Sequence, residues 1–197
     1  MENNDEVENK VVLVGETSVG KTCIITQLIY GKFKEFIESS LTAQYCQKNF
    51  EFPGDKSIKL DIWDTAGQER FRSLNRIFYS NAKAAILVYD ITNQKSFDEI
   101  KNYWYGQIKE NCSKNIIIAI AANKSDLYED REVSNEIGEE FANSINAIFS
   151  SISAKSDSGI KDLFENIAKR MLNNNLNLKA NKTIIIKNKK KKNSKCC

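Results

Sequence analysis

The sequence predicts an α/β protein: a doubly wound, mostly parallel six-stranded sheet with helices on both faces. Three observations predict it. Short apolar runs of strand length alternate with longer stretches of helical periodicity, the pattern of a parallel sheet covered on both sides. Clusters of Gly, Asn, Asp, Ser and Lys follow directly after those runs, where ligands sit in such sheets. The chain has 197 residues, 41% of them hydrophobic, which suits one domain with a full core and short appendages.

The elements follow in order. Lys10 to Val14 (KVVLV) reads as a buried strand, and Gly20 to Tyr30 as a helix. Tyr45 to Phe52 and Ser57 to Trp63 alternate loosely around Pro53-Gly54, the signature of a hairpin. Ala84 to Tyr89 is a second buried strand. Ser96 to Asn111 is helical, with Phe97, Ile100, Trp104 and Ile108 on one face. Ile116 to Ala122 is a strand, Ser134 to Asn143 a helix, Ala147 to Ile152 a strand and Ile160 to Leu172 a helix. After Leu178 the composition turns to Asn and Lys. The predicted organisation is a flexible N-terminus over 1–7, a domain over 8–175, and a flexible basic tail over 176–197.

Composition narrows the chemistry. There is no histidine, which excludes Ser-His-Asp and Cys-His hydrolysis and histidine-ligated metals. Cys23, Cys46 and Cys112 are scattered without metal-ligand spacing. No apolar run approaches the roughly 18 residues of a membrane span, and the acidic start MENNDEVENK is no signal peptide. A cytosolic setting is expected. The net charge of +3 hides an asymmetry: residues 179–197 hold eight lysines and no acid, leaving 21 bases against 26 acids, or −5, in the rest. A tail of that kind seeks an anionic surface.

Gly15-Glu16-Thr17-Ser18-Val19-Gly20-Lys21-Thr22 fits G-x-x-x-x-G-K-[ST] between a strand and a helix. Its glycines let successive N–H groups face phosphate oxygens, and the helix N-terminus adds a favourable dipole. Lys21 is placed to bridge terminal phosphates and the Thr22 hydroxyl to ligate Mg²⁺. This is the P-loop NTPase signature, and it does not separate ATP from GTP. Asn123-Lys124-Ser125-Asp126 and Ser153-Ala154-Lys155 each follow a strand, as does Asp64-Thr65-Ala66-Gly67-Gln68-Glu69. A carboxylate such as Asp126 can accept two hydrogen bonds from the N1–H and amine of guanine, a donor pair that adenine lacks.

These motifs resemble the Ras-like small GTPases. The resemblance implies GTP/GDP binding by Gly15, Thr17, Ser18, Val19, Gly20, Lys21, Thr22 and Cys23 around the phosphates. It implies Phe33, Asn123, Lys124, Asp126, Ser153, Ala154 and Lys155 around the base. It assigns Mg²⁺ to Thr22, Ser40 and Asp64, γ-phosphate sensing to Ser40 and Gly67, and orientation of the attacking water to Gln68. The segment Ser40-Leu41-Thr42-Ala43-Gln44-Tyr45 departs from the usual T-I-G-x-x-F: serine keeps the hydroxyl, but Thr42 replaces a glycine and stiffens the backbone. Thr17 adds bulk where relatives often carry glycine. No arginine is placed as a cis finger, so intrinsic hydrolysis on the order of 10⁻⁴ to 10⁻³ s⁻¹ is expected, with an activating protein in trans.

Within that family, Lys59 to Phe71 (KLDIWDTAGQERF), Ile86 to Thr92 (ILVYDIT) and the terminal Cys196-Cys197 are similar to Rab proteins. The SSLTAQY segment is most similar to the endocytic branch. The resemblance implies a monomeric switch in vesicle traffic with an exchange factor, an activating protein and effectors as partners. It implies an effector patch of Tyr45, Trp63 and Phe78, and prenylation of Cys196 and Cys197 beside the lysine tail. The location implied is the cytoplasmic face of an endosomal membrane, with a cytosolic pool. Two other readings stay open: a nucleotide-binding module that does not hydrolyse, and a tail that binds nucleic acid, although residues 179–197 contain no aromatic residue for base stacking.

Overall fold

In the computed structural model, which describes residues 8–33, 44–65 and 78–175, strand β1 (Lys10–Val14) is buried along its whole length. Its side chains alternate between two cores. Val11 and Leu13 join one apolar cluster with Ile24, Leu28, Leu60, Ile86, Ala119 and Phe164. Val12 and Val14 join another with Leu87, Tyr89, Phe97, Trp104 and Ile120. A strand buried on both faces has no polar side, so β1, β4 (Ala84–Asp90) and β5 (Ile117–Asn123) read as continuous apolar runs.

Six strands lie in the order β2-β3-β1-β4-β5-β6. β2 (Gln44–Phe52) runs antiparallel to β3 (Lys56–Asp64), and all other pairs, out to β6 (Ile148–Ser151), are parallel. The predicted doubly wound, mostly parallel sheet is therefore the observed one. The β2–β3 turn at Pro53-Gly54 extends to Asp55, with positive φ of 77° at Gly54 and 53° at Asp55. Helix α1 (Lys21–Tyr30) and the helix over 160–175, α4, lie against the first core. In α4 the buried Ile160, Leu163, Phe164, Ile167, Ala168 and Met171 form the stripe that a 3.6-residue period requires.

The second face is covered by α2 and α3. Helix α3 (Asn135–Ser144) begins where Ser134 accepts a hydrogen bond from the Ile137 N–H. Helix α2 runs from Gln94 to Asn111 in three parts: α-helical Gln94–Glu99, a π-helical turn Ile100–Trp104, and α-helical Tyr105–Asn111. It starts two residues before the sequence-based boundary because the Asn93 side chain caps it, accepting from the Ser96 N–H at 3.2 Å. The π turn was not foreseen. Four residues of an ideal α-helix overshoot one turn by about 40°. The wider π turn offsets that drift, so Ile100, Trp104 and Ile108 all stay fully buried.

The other boundaries shift by at most two residues, except that α4 runs three residues past the expected Leu172, to Asn175. The predicted segments 1–7 and 176–197, and the expected roles of Ser40, Thr42, Gly67, Gln68, Cys196 and Cys197, lie outside the described residues. Among the described residues no helix is long and apolar enough to cross a membrane.

Two helical glycines make a paired test of this packing. A Cβ at Gly138 would lie 2.5 Å from the Tyr89 hydroxyl and 2.7 Å from the Phe149 ring, whereas one at Gly106 meets nothing within 4 Å. Gly106→Ala should stabilise by about 0.5–1 kcal/mol through helix propensity. Gly138→Ala should lose that gain to overpacking of about 1–3 kcal/mol. Urea-denaturation midpoints of the two variants should move in opposite directions.

Candidate functional site

Among the described residues, the chemically distinctive loops leave the carboxyl ends of strands along one edge of the sheet. The phosphate-loop motif follows β1, Asp64 ends β3 with Thr65 directly after it, Asp90 ends β4, Asn123 ends β5, and Ser153-Ala154 follow β6. β1 is where the winding reverses, with β3 on one side and β4 on the other, and ligands sit at such a point in open α/β sheets.

The phosphate loop folds tightly because two glycines permit it. Gly15 has φ 147°, and a Cβ there would lie 2.3 Å from the Val88 carbonyl oxygen. Gly20 has φ 97°, and its Cβ would lie 2.3 Å from Asn123 Nδ2. Between them, Thr17 and Ser18 are exposed, Ser18 at φ 66°, and Val19 is buried in the core. The Lys21 ammonium turns back into the loop, donating to the carbonyls of Gly15 at 2.9 Å and Glu16 at 2.7 Å. Burial lowers its pKa to about 8, against the opposing pull of the Asp64 and Glu16 carboxylates. An ammonium held this way attracts any anion that enters the loop. Cys23 is half-buried on α1, and burial pushes its thiol up, so its side chain stays protonated.

Thr22 and Asp64 converge from different elements. The Thr22 Oγ1 donates to Asp64 Oδ2 at 2.5 Å across 42 residues of sequence, and Asp64 is 1% exposed. Thr65 is buried beside it, its hydroxyl donating to the Leu13 carbonyl at 2.6 Å.

The base-side loops are tied together by one amide. Asn123 Nδ2 donates to the Val19 carbonyl at 2.7 Å, and its Oδ1 accepts from the Ala154 N–H at 3.2 Å. Ser153 Oγ donates to Asp126 Oδ1 at 2.5 Å and accepts from the Ser156 N–H at 3.0 Å. Lys124, at φ 65°, is fixed by an ion pair to Asp90 at 2.6 Å. Lys155 is exposed, and Phe33 is 38% exposed.

The three aromatics singled out in the sequence stand together, Tyr45 and Trp63 on the β2–β3 pair and Phe78 against Trp63. Ring centroids lie 5.1 Å apart for Tyr45 and Trp63, and 5.8 Å for Trp63 and Phe78. Tyr45 is half exposed, and its hydroxyl donates to Asp61 Oδ1 at 2.7 Å, the main reason its pKa rises to about 12. The Lys10 ammonium lies 5.0 Å from the Trp63 ring centroid and donates to the Ser80 carbonyl at 3.1 Å.

Sequence reasoning missed the Asp90–Lys124 pair, the acceptor role of Asp61, and a bond from Trp104 Nε1 to Glu16 Oε1 at 3.1 Å. No spacing signals such pairs. The only hint for the first was an acid at the carboxyl end of a buried strand.

A lysine-bearing glycine loop at a strand–helix junction, facing a threonine–aspartate pair and an asparagine-tied base loop, defines a P-loop nucleotide-binding protein. Residues 10–173 match the model of the Ras family. The chain is 40% identical over 171 residues to Ras-related protein RabJ of Dictyostelium discoideum, covering 87% of this chain and 66% of that one. It is 39% identical to Ras-related protein RABF2a of Arabidopsis thaliana, with 85% and 83% covered. It is 40% identical to Ras-related protein Rab-22A of Homo sapiens, with 87% of each covered. The chain belongs to the Ras family, and it is a Rab-like small GTPase.

Asn123 provides a direct test of the joined loops. Asn123→Ala leaves the buried Val19 carbonyl and Ala154 N–H without their bonds to this side chain, at about 1–3 kcal/mol for each group. Denaturant unfolding of the variant should show a stability loss of about 2–6 kcal/mol.

Proposed function

We propose that this chain is a lipid-tethered GTP switch of vesicle traffic on the cytoplasmic face of an endosomal membrane. The domain would span 8–175 and the tether 176–197, with Cys196 and Cys197 prenylated. Two lipids give durable anchoring where one is marginal. Each tail lysine near an anionic leaflet adds about 1 kcal/mol.

The observation that carries the nucleotide reading is the 2.5 Å contact between the Thr22 hydroxyl and the Asp64 carboxylate, set beside the inward-turned Lys21. Two hard oxygen donors at one point, next to a loop built for phosphate, fit Mg²⁺. Thr22 and Asp64, with Ser40, would hold it. The ion would neutralise charge on the terminal phosphates. Lys21 holds the phosphates through its ammonium while the N–H groups from Gly15 to Cys23 cradle them, with Thr17, Ser18 and Val19 along the wall. Asp126 accepts the N1–H and the exocyclic amine of guanine, and the Ala154 N–H donates to the guanine oxygen. Lys124 and Phe33 flank the ring, while Asn123, Ser153 and Lys155 support the loops.

Gln68 orients the water that attacks the γ-phosphorus in line; the bond from that phosphorus to the β–γ bridging oxygen breaks, the bridging oxygen stays with GDP, and the water oxygen leaves in inorganic phosphate. Ser40 and Gly67 bind the γ-phosphate and let go after its loss, so the switch is an order change that partners read. Tyr45, Trp63 and Phe78 are the aromatic anchor for an effector. Exchange and activating proteins set the rate of each half-cycle.

Denaturing the purified protein and identifying the released nucleotide should give near-stoichiometric GDP or GTP. An empty protein that takes up neither in magnesium sinks the reading. Asp126→Asn replaces one acceptor by a donor, so GTP affinity should fall by about 10²- to 10⁴-fold while xanthosine triphosphate affinity rises. Unchanged GTP binding in that variant would remove Asp126 from the base site. Gln68→Leu should raise the GTP-loaded fraction, read in the same chromatographic assay; an unchanged fraction would favour a module that does not hydrolyse.

A further inference from the structure

Trp104 lies in the fully buried face of α2, within the second core. An indole N–H in such surroundings needs an acceptor, because leaving it without one is costly. It finds the Glu16 carboxylate at 3.1 Å, 88 residues away in sequence. Glu16 is the second residue of the phosphate loop, and its carbonyl is one of the two that grip Lys21. The indole is rigid and its helix is fixed: the π turn Ile100–Trp104 brings Trp104 into line with Ile100 and Ile108, all three fully buried. π turns inside α-helices occur often at functional positions.

We propose that Trp104 is a positioning residue for nucleotide retention: by donating to the Glu16 carboxylate it anchors the phosphate loop to α2 and keeps the Glu16 carbonyl aimed at Lys21. The proposal rests on the reading of this loop as the phosphate site. It makes α2 a support of the nucleotide pocket as well as a cover of the sheet. The Glu16 side chain, held against the helix, also keeps a negative charge near the buried Lys21 ammonium. Release of the carboxylate would let the Glu16 peptide turn and would loosen the grip on Lys21.

The test is the dissociation rate of a fluorescent GDP analogue in magnesium buffer. It is measured for the full-length protein and for Trp104→Phe, Glu16→Ala, the double variant, and Glu16→Gln. Losing one hydrogen bond to the loop should speed release by about 3- to 10-fold in Trp104→Phe and in Glu16→Ala. The double variant should release no faster than Glu16→Ala alone, because the bond that Trp104→Phe removes is already gone there. Glu16→Gln, which retains an acceptor oxygen for the indole, should recover most of the wild-type rate. A purely structural tryptophan would instead lower the unfolding midpoint and leave Glu16→Ala with the wild-type release rate, and that result overturns the proposal. Single effects that multiply in the double variant overturn it as well. If Trp104→Phe fails to fold, the Glu16→Ala and Glu16→Gln pair decides alone. A wild-type protein that holds no GDP would bring down the nucleotide reading and this proposal together, a result distinct from wild-type retention with unchanged variants.

Discussion

The side-chain amide of Asn123 is the contact on which the site depends. It sits at the end of β5, is 1% exposed, and joins two loops that no backbone ladder connects. Its donor holds the Val19 carbonyl of the phosphate loop, and its acceptor holds the Ala154 N–H after β6. An amide carries its donor and its acceptor on two separate atoms of one short side chain, so it can reach both loops at once. Gly20 must lack a Cβ for the Asn123 nitrogen to come so close. One residue thus fixes the distance between the phosphate end and the base end of the pocket, which is the dimension a nucleotide must match.

That arrangement is held ready at a cost. Ser18 and Lys124 both carry positive φ, near 66° and 65°, a conformation that disfavours residues with a Cβ by about 1–3 kcal/mol each. Lys21 is buried with its pKa lowered. Each cost is offset locally. Lys21 takes two carbonyls and the field of Asp64 and Glu16; Lys124 takes the Asp90 carboxylate. An anion arriving at Lys21 meets a cation with little water left to displace, so its interaction is stronger than at an exposed lysine. Such pre-arranged polarity is the physical basis of binding and of transition-state stabilisation alike.

Much of this was legible in the sequence, because the constraints that set it are local. Parallel strands buried on both faces must be continuous apolar runs, so KVVLV, AAILVY and IIIAIAA announced themselves. A phosphate loop needs glycines at fixed offsets from its lysine, and these sit at Gly15 and Gly20. The pairings that depend on tertiary placement were not legible. Trp104 had the look of a core residue, which it is, and nothing in its spacing pointed to Glu16. The π turn in α2 escaped because periodicities of 3.6 and 4 residues coincide over two turns. Asp90 belongs to a strand terminus that the sequence reading closed at Tyr89, one residue too early to place its carboxylate at the base loop.

The hairpin links the phosphate end of the site to the aromatic surface of Tyr45 and Trp63. β2 and β3 are paired from Gln44↔Asp64 to Phe52↔Lys56, with Tyr45 opposite Trp63. Asp64, bonded to Thr22, therefore stands one residue from the aromatic cluster. Residues 34–43 lead directly into β2, and residues 66–77 follow β3 after Thr65 and run up to Phe78. Both proposed γ-phosphate sensors, Ser40 and Gly67, belong to those segments. On this reading a pull on either is applied at the same end of the same strand pair. The far end, at the Pro53 turn, is exposed and remote from the strand termini that form the pocket. Asp61 holds Tyr45 through its hydroxyl, and the Lys10 ammonium lies over the Trp63 ring, so two of the three aromatics are tied to the sheet. On the proposed reading, a partner seated on this anchor and on both segments distinguishes the two nucleotide states through the contacts that differ between them, as any state-selective binder must.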